Sequence, residues 1–166
     1  MIVGHIAEHE ARHAAAGLLL GMPVHSARAD AVDDRLGLVM LGPGPARDWA
    51  VAVLVGYPFR DGWPPDWPQS SGDGRGDESL LADFVADVRL DRAGWRALCS
   101  EARALVGTPE FRRLAAAITE PLLEGRVLDR GDLLALKRRC ERPRQVGRSV
   151  ALRLPPPRPR PLRLPT

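Results

Sequence analysis

Cysteine, lysine and long apolar runs are all scarce in this 166-residue chain. Cys99 and Cys140 are the only thiols, too few for a disulfide framework, which predicts buried free thiols in a reducing compartment. Apolar runs are short, Ala14 to Leu20 for example spanning seven residues, whereas a membrane span takes about 20. No charged stretch followed by an apolar segment precedes the first motif, so no secretion signal is expected and the chain reads as cytoplasmic. Of the 24 basic residues only Lys137 is lysine, a coding bias more than a mechanism. What is present is ordinary globular usage: 45% hydrophobic and 27% charged residues exclude a wholly disordered chain. The length suits one domain with room for a tail.

The formal charge of +3 conceals a split. From Arg142 to Thr166 there are seven arginines and no acid, which leaves the preceding 141 residues at −4. The basic character therefore belongs to the end of the chain and disfavours nucleic acid as a partner of the body. That stretch also contains Pro155-Pro156-Pro157-Arg158-Pro159-Arg160-Pro161, which suits polyproline II or disorder and not a helix. The expected organisation is a folded domain over 1–141 and a Pro/Arg-rich disordered tail over 142–166. The tail reads as a solvated spacer, a ligand for an aromatic-lined groove, or a weak phosphate contact, and the sequence does not choose among them.

Within the body, residues 2 to 20 lack proline and end at Gly21 and Pro23, a helix with a clear stop. Pro23 to Ala29 and Leu36 to Leu41 read as two short strands of a β-hairpin. Asp48 to Val55 is a short apolar segment, read as helix. Gly56 to Gly76 holds five glycines, four prolines and two tryptophans, a long loop. Its Trp63 and Trp67 could line a groove, although tryptophans in such loops commonly fold back onto the body. Asp77 to Leu90 shows a helical stripe at 80, 81, 84, 85 and 88. Asp91 is a cap for the next helix, and Thr108-Pro109-Glu110 starts another that ends at Gly125. Asp129 or Asp132 opens a last helix that closes near Cys140. The expected fold is α+β, mainly α, with a short β-hairpin and a C-terminal helical bundle around the first helix.

That first helix carries His9-Glu10-Ala11-Arg12-His13, an HExxH sequence. At 100° per residue the two histidines stand about 40° apart on one face, where both imidazoles can reach one metal ion. Glu10 lies one step round the helix. Catalytic zinc takes three protein ligands and lowers the pKa of its water to about 7, and a neighbouring carboxylate takes the proton and hands it to the leaving amine. Three fixed positions arise by chance in on the order of a few chains per thousand of this size. Ile2, Ile6 and Leu20 share the histidine face, so the imidazoles are not expected to face open water. Glu8 and Arg12, on the other flank, read as a solvated i,i+4 pair contributing a few tenths of a kcal/mol.

His9 to His13, then Ala14-Ala15-Ala16-Gly17-Leu18-Leu19-Leu20-Gly21-Met22-Pro23-Val24-His25 and later Leu36-Gly37, resembles the peptidase domain of the FtsH-type zinc proteases over roughly residues 5 to 41. Arg12 stands where that family usually has glycine. The resemblance implies a zinc metalloendopeptidase with His9 and His13 on Zn2+ and Glu10 as general base. It implies a third ligand from an acid opening a later helix, and Asp77 fills that place, with Glu78 second. An Asp opening a helix is also an ordinary N-cap. His25 is a rival as a better zinc donor, and His5 stands one turn before His9. The HExxH begins at residue 9, so ATP-driven unfolding is not expected of this chain alone. The partners it implies are a protein or peptide substrate and a separate ATPase or adaptor to supply unfolded chains. Two other classes stay open: a non-catalytic zinc-stabilised binding domain, and a metal-free helical adaptor acting through the basic tail.

Overall fold

The computed structural model describes residues 2–30, 37–56, 64, 66–69 and 76–141. The expectations for Trp63, for Leu36 as the start of the second strand and for the tail at 142–166 fall outside them. The described residues form α1 (Ile2–Leu19), β1 (Val24–Arg28), β2 (Leu38–Leu41), α2 (Ala46–Leu54), α3 (Asp77–Asp87), α4 (Arg92–Gly107), α5 (Pro109–Leu123), β3 (Leu128–Asp129) and α6 (Arg130–Glu141). The fold is α+β and mainly helical, as expected. Among the described residues no helix is long and apolar enough to cross a membrane.

α1 is the central element. Its buried face is built from Ala7, Ala11, Ala14, Ala15 and Ala16, so neighbouring helices approach its backbone closely, α5 most extensively. The helix stops where glycine makes a left-handed turn cheap. Gly21 has φ +76, the Met22 N–H reaches the Gly17 carbonyl at 2.8 Å and the Gly21 N–H reaches that of Leu18 at 3.3 Å. Lys137 of α6 donates to the same Leu18 carbonyl at 2.8 Å, placing a cation at the negative end of α1.

β1 and β2 form the antiparallel hairpin, with an irregularity between Val24 and Ser26. The sheet order is β2-β1-β3. β3 had no signal in the sequence, because two residues are too few to show a period. It pairs antiparallel with β1 through Ser26–Asp129 and Ala27–Leu128 and buries Leu128 against the core.

The helical caps are those expected. Asp91 Oδ1 accepts from the Gly94 N–H at 2.7 Å, and Thr108 Oγ1 accepts from the Phe111 N–H at 3.2 Å. Asp129 Oδ1 accepts from the Asp132 N–H at 2.9 Å and opens α6. α3 ends earlier than its apolar stripe suggests. Arg89 adopts φ 52, and the Leu90 and Arg89 N–H groups turn back to the Val85 and Ala86 carbonyls at 3.0 and 3.2 Å. This is a glycine-type helix end made by an arginine, so no glycine marked it. Leu80 and Val88 are exposed, while Leu81 and Val85 are buried.

Leu54 of α2, Leu81 of α3, Trp95 of α4, Phe111 and Ile118 of α5 and Leu133 of α6 meet in one core. Trp67 does fold back: its ring meets Trp95 edge-on at 6.5 Å between centroids. Cys99 is buried and Cys140 half-buried, both as free thiols.

Candidate metal centre

His9 and His13 lie on one face of α1, opposite the first turn of α3. The Nε2 atoms of the two imidazoles are 3.0 Å apart. Asp77 Oδ2 lies 3.3 Å from His9 Nε2 and 3.0 Å from His13 Nε2. Three side chains separated by up to 68 sequence positions thus present one atom each to a nearly equilateral triangle. Zinc with ligands at about 2.0–2.1 Å in tetrahedral geometry holds them about 3.3 Å from one another. The three edges match that spacing closely enough for these atoms to hold one ion.

The chemistry of the three atoms points the same way. His13 Nδ1 is 2.8 Å from the Ala52 carbonyl of α2. A carbonyl only accepts, so the Nδ1 carries hydrogen and the neutral ring turns its Nε2 lone pair toward Asp77. The buried Asp77 Oδ2 atom faces the two imidazole nitrogens, and with both rings neutral and protonated on Nδ1 it receives no hydrogen bond. Acceptor therefore faces acceptor, an arrangement that costs free energy until a cation stands between them. A proton can do so in part. Burial lowers the basicity of His13, but the Asp77 carboxylate, the Ala52 carbonyl and the Glu10 charge outweigh it and raise the group above the ordinary histidine value. Burial likewise pushes Asp77 up, yet the two imidazoles prevail and hold its carboxyl far below the usual carboxylate range. One proton serves one pair of acceptors, whereas a divalent ion serves all three. The donor set of two imidazoles and a carboxylate suits zinc.

The helix ends add to this field. Ala52 belongs to the last turn of α2, whose negative end thus lies against His13. Asp77 is the first residue of α3, where the dipole favours a carboxylate, and Gly76 is the N-cap. The cap reading of Asp77 is accordingly replaced: its carboxylate turns to the histidines.

Glu10 is 8% exposed, on the next step of α1. Burial raises its carboxyl, partly offset by His13 and His9 and reinforced by Asp77. Gly37, just before β2, backs it: a Cβ there would stand 2.5 Å from Glu10 Oε1 and 2.7 Å from its Cγ.

The rivals lie elsewhere. Glu78, His25 and His5 are exposed and none belongs to the His9–His13–Asp77 group. One expectation is corrected. Arg12 is not a solvated surface residue: its side chain is 12% exposed, and its Nε donates to the Val55 carbonyl at 2.7 Å. The Glu8 carboxylate is 3.9 Å away and mostly in solvent, a minor partner. Gly56 was also missed. A Cβ there would collide with His13 Nε2 and Cε1 and lie 2.8 Å from His9 Cε1. The sequence marked it only as the first glycine of a loop.

The chain was compared with known protein families, curated proteins and solved structures, and none matches.

Proposed function

We propose that the chain is a zinc-dependent peptidase in which His9, His13 and Asp77 hold the ion and Glu10 is the general base. The observation that carries this reading is the triangle of three potential ligand atoms, with the His13 tautomer set by Ala52, one helical step from a buried carboxylate. A zinc ion held there supplies Lewis acidity that polarises a peptide carbonyl and activates water near neutral pH. Glu10 takes the water's proton on its carboxylate and delivers it to the leaving amine. Its raised basicity suits that work, since proton transfer is most effective when the base titrates near the working pH. Ala52 keeps His13 in the ligating tautomer throughout. The substrates this chemistry fits are proteins or peptides.

Metal analysis of protein purified without added metal tests the first half: one zinc per chain is expected, lost in His13→Ala. The Glu10→Gln variant tests the second. It should keep its zinc and cleave an unfolded test protein roughly 10²–10⁴-fold more slowly. A parent protein that holds zinc yet cleaves nothing across a broad peptide library would leave a zinc-stabilised binding domain in place of the enzyme. The absence of any bound metal would leave a helical adaptor.

A further inference from the structure

We propose that Arg12 is a positioning residue of the metal centre, clamping the end of α2 so that Gly56 is held against both imidazoles. The inference rests on the metal reading above.

Ala52 and Val55 expose carbonyls at the end of α2, where helical partners run out. Two consecutive side chains of α1 take them. His13 Nδ1 donates to Ala52 at 2.8 Å and Arg12 Nε to Val55 at 2.7 Å. The Arg12 guanidinium also lies 5.8 Å from the centre of the Phe111 ring, at the start of α5, so a planar cation is braced between two helices. Its charge sits at the negative end of α2, which adds to the bond. The residue joined to the clamped carbonyl is Gly56, whose backbone lies where any Cβ would strike the ligating nitrogen of His13. Moving Gly56 inward closes the ion's space. Moving it outward frees both rings to turn away from Asp77. Arg12 holds it between these limits without touching the ion.

The test uses the full-length chain, with Zn2+ affinity measured by competition with a chelating dye and ring geometry read from the visible spectrum of bound Co2+. Arg12→Met keeps the apolar stem and removes the donors. It should bind Zn2+ roughly 10–100-fold more weakly and shift the Co2+ bands. Arg12→Lys, which restores a charged donor, should recover part of the affinity. Arg47→Ala is the control, because it removes the α2–α4 ion pair (2.6 Å from Arg47 to Glu101) at the far end of α2. It should leave affinity and spectrum unchanged. Arg12→Met binding Zn2+ within twofold of the parent overturns the clamp, and so does a loss shared equally by Arg47→Ala and Arg12→Lys. Should Arg12→Met fail to fold, Gly56→Ala decides: an affinity and spectrum equal to the parent's refute the proposal. A parent that binds neither ion refutes the metal reading itself, and the clamp with it.

Discussion

Replacing Asp77 with asparagine should move the stability of this protein in opposite directions with and without zinc. Asn keeps the shape and the place at the start of α3 but offers an N–H where the carboxylate offered a lone pair. Asp77 Oδ2 lies 3.0 Å from His13 Nε2, and the neutral ring presents a lone pair there. In the metal-free protein, at a pH above the elevated His13 value, the amide can donate across that gap. Gaining one hydrogen bond in place of facing acceptors stabilises by about 1 kcal/mol. With zinc the order reverses. Free zinc at about 100 times its dissociation constant stabilises the parent by roughly 2.7 kcal/mol. For a body of this size that raises the melting temperature by roughly 5–10 °C. Asp77→Asn loses the anionic ligand and should show little of this rise. Differential scanning calorimetry in chelator and in zinc reads all four values. An equal zinc-induced rise in both proteins would remove Asp77 from the centre. A marked fall in the metal-free variant would mean that the carboxylate serves structure and not the ion.

Three other outcomes follow from the same arrangement of side chains. In the metal-free parent, Asp77 titrates below its ordinary 3.8 and His13 above its ordinary 6.5. The Asp77 contribution is complete above 3.8 and is lost as its carboxyl protonates at lower pH, while the His13 contribution is complete below 6.5 and fades as pH rises through its elevated value. Urea midpoints in chelator should therefore favour the parent over Asp77→Asn at about pH 5.5 and lose that advantage as the pH rises through the elevated His13 value, and a pH-independent difference would contradict this. Gly37→Ala should keep its metal while cleavage slows by up to roughly 100-fold, because the new Cβ displaces Glu10; unchanged cleavage would show that Glu10 is not held from that side. Thr108→Ala removes the bond to the Phe111 N–H and should lower unfolding free energy by about 1 kcal/mol, seen as a shifted urea midpoint; no shift would mean that Pro109 alone sets the start of α5.

What could be read along the chain was local. The HExxH helix, the Gly21 stop, the Asp91 and Thr108 caps and the Gly125 end were all legible, because each is decided by side chains and backbone groups a few residues apart. The exceptions prove the same point: β3 is too short to carry a period, and the α3 end at Arg89 lacks the usual glycine. The histidine pair belongs to the local class, since helical geometry alone puts residues 9 and 13 on one face. Everything that makes the pair part of a candidate centre comes from chain segments brought together from far along the sequence. The placement of α3, which packs on α2, brings Asp77 and not Glu78 or His25 to the two imidazoles. The end of α2 set the His13 tautomer through Ala52 and took Arg12 out of solvent. Gly56 matters only because α2 delivers it to the imidazoles. Such pairings depend on how whole helices pack, and no pattern in neighbouring residues records them.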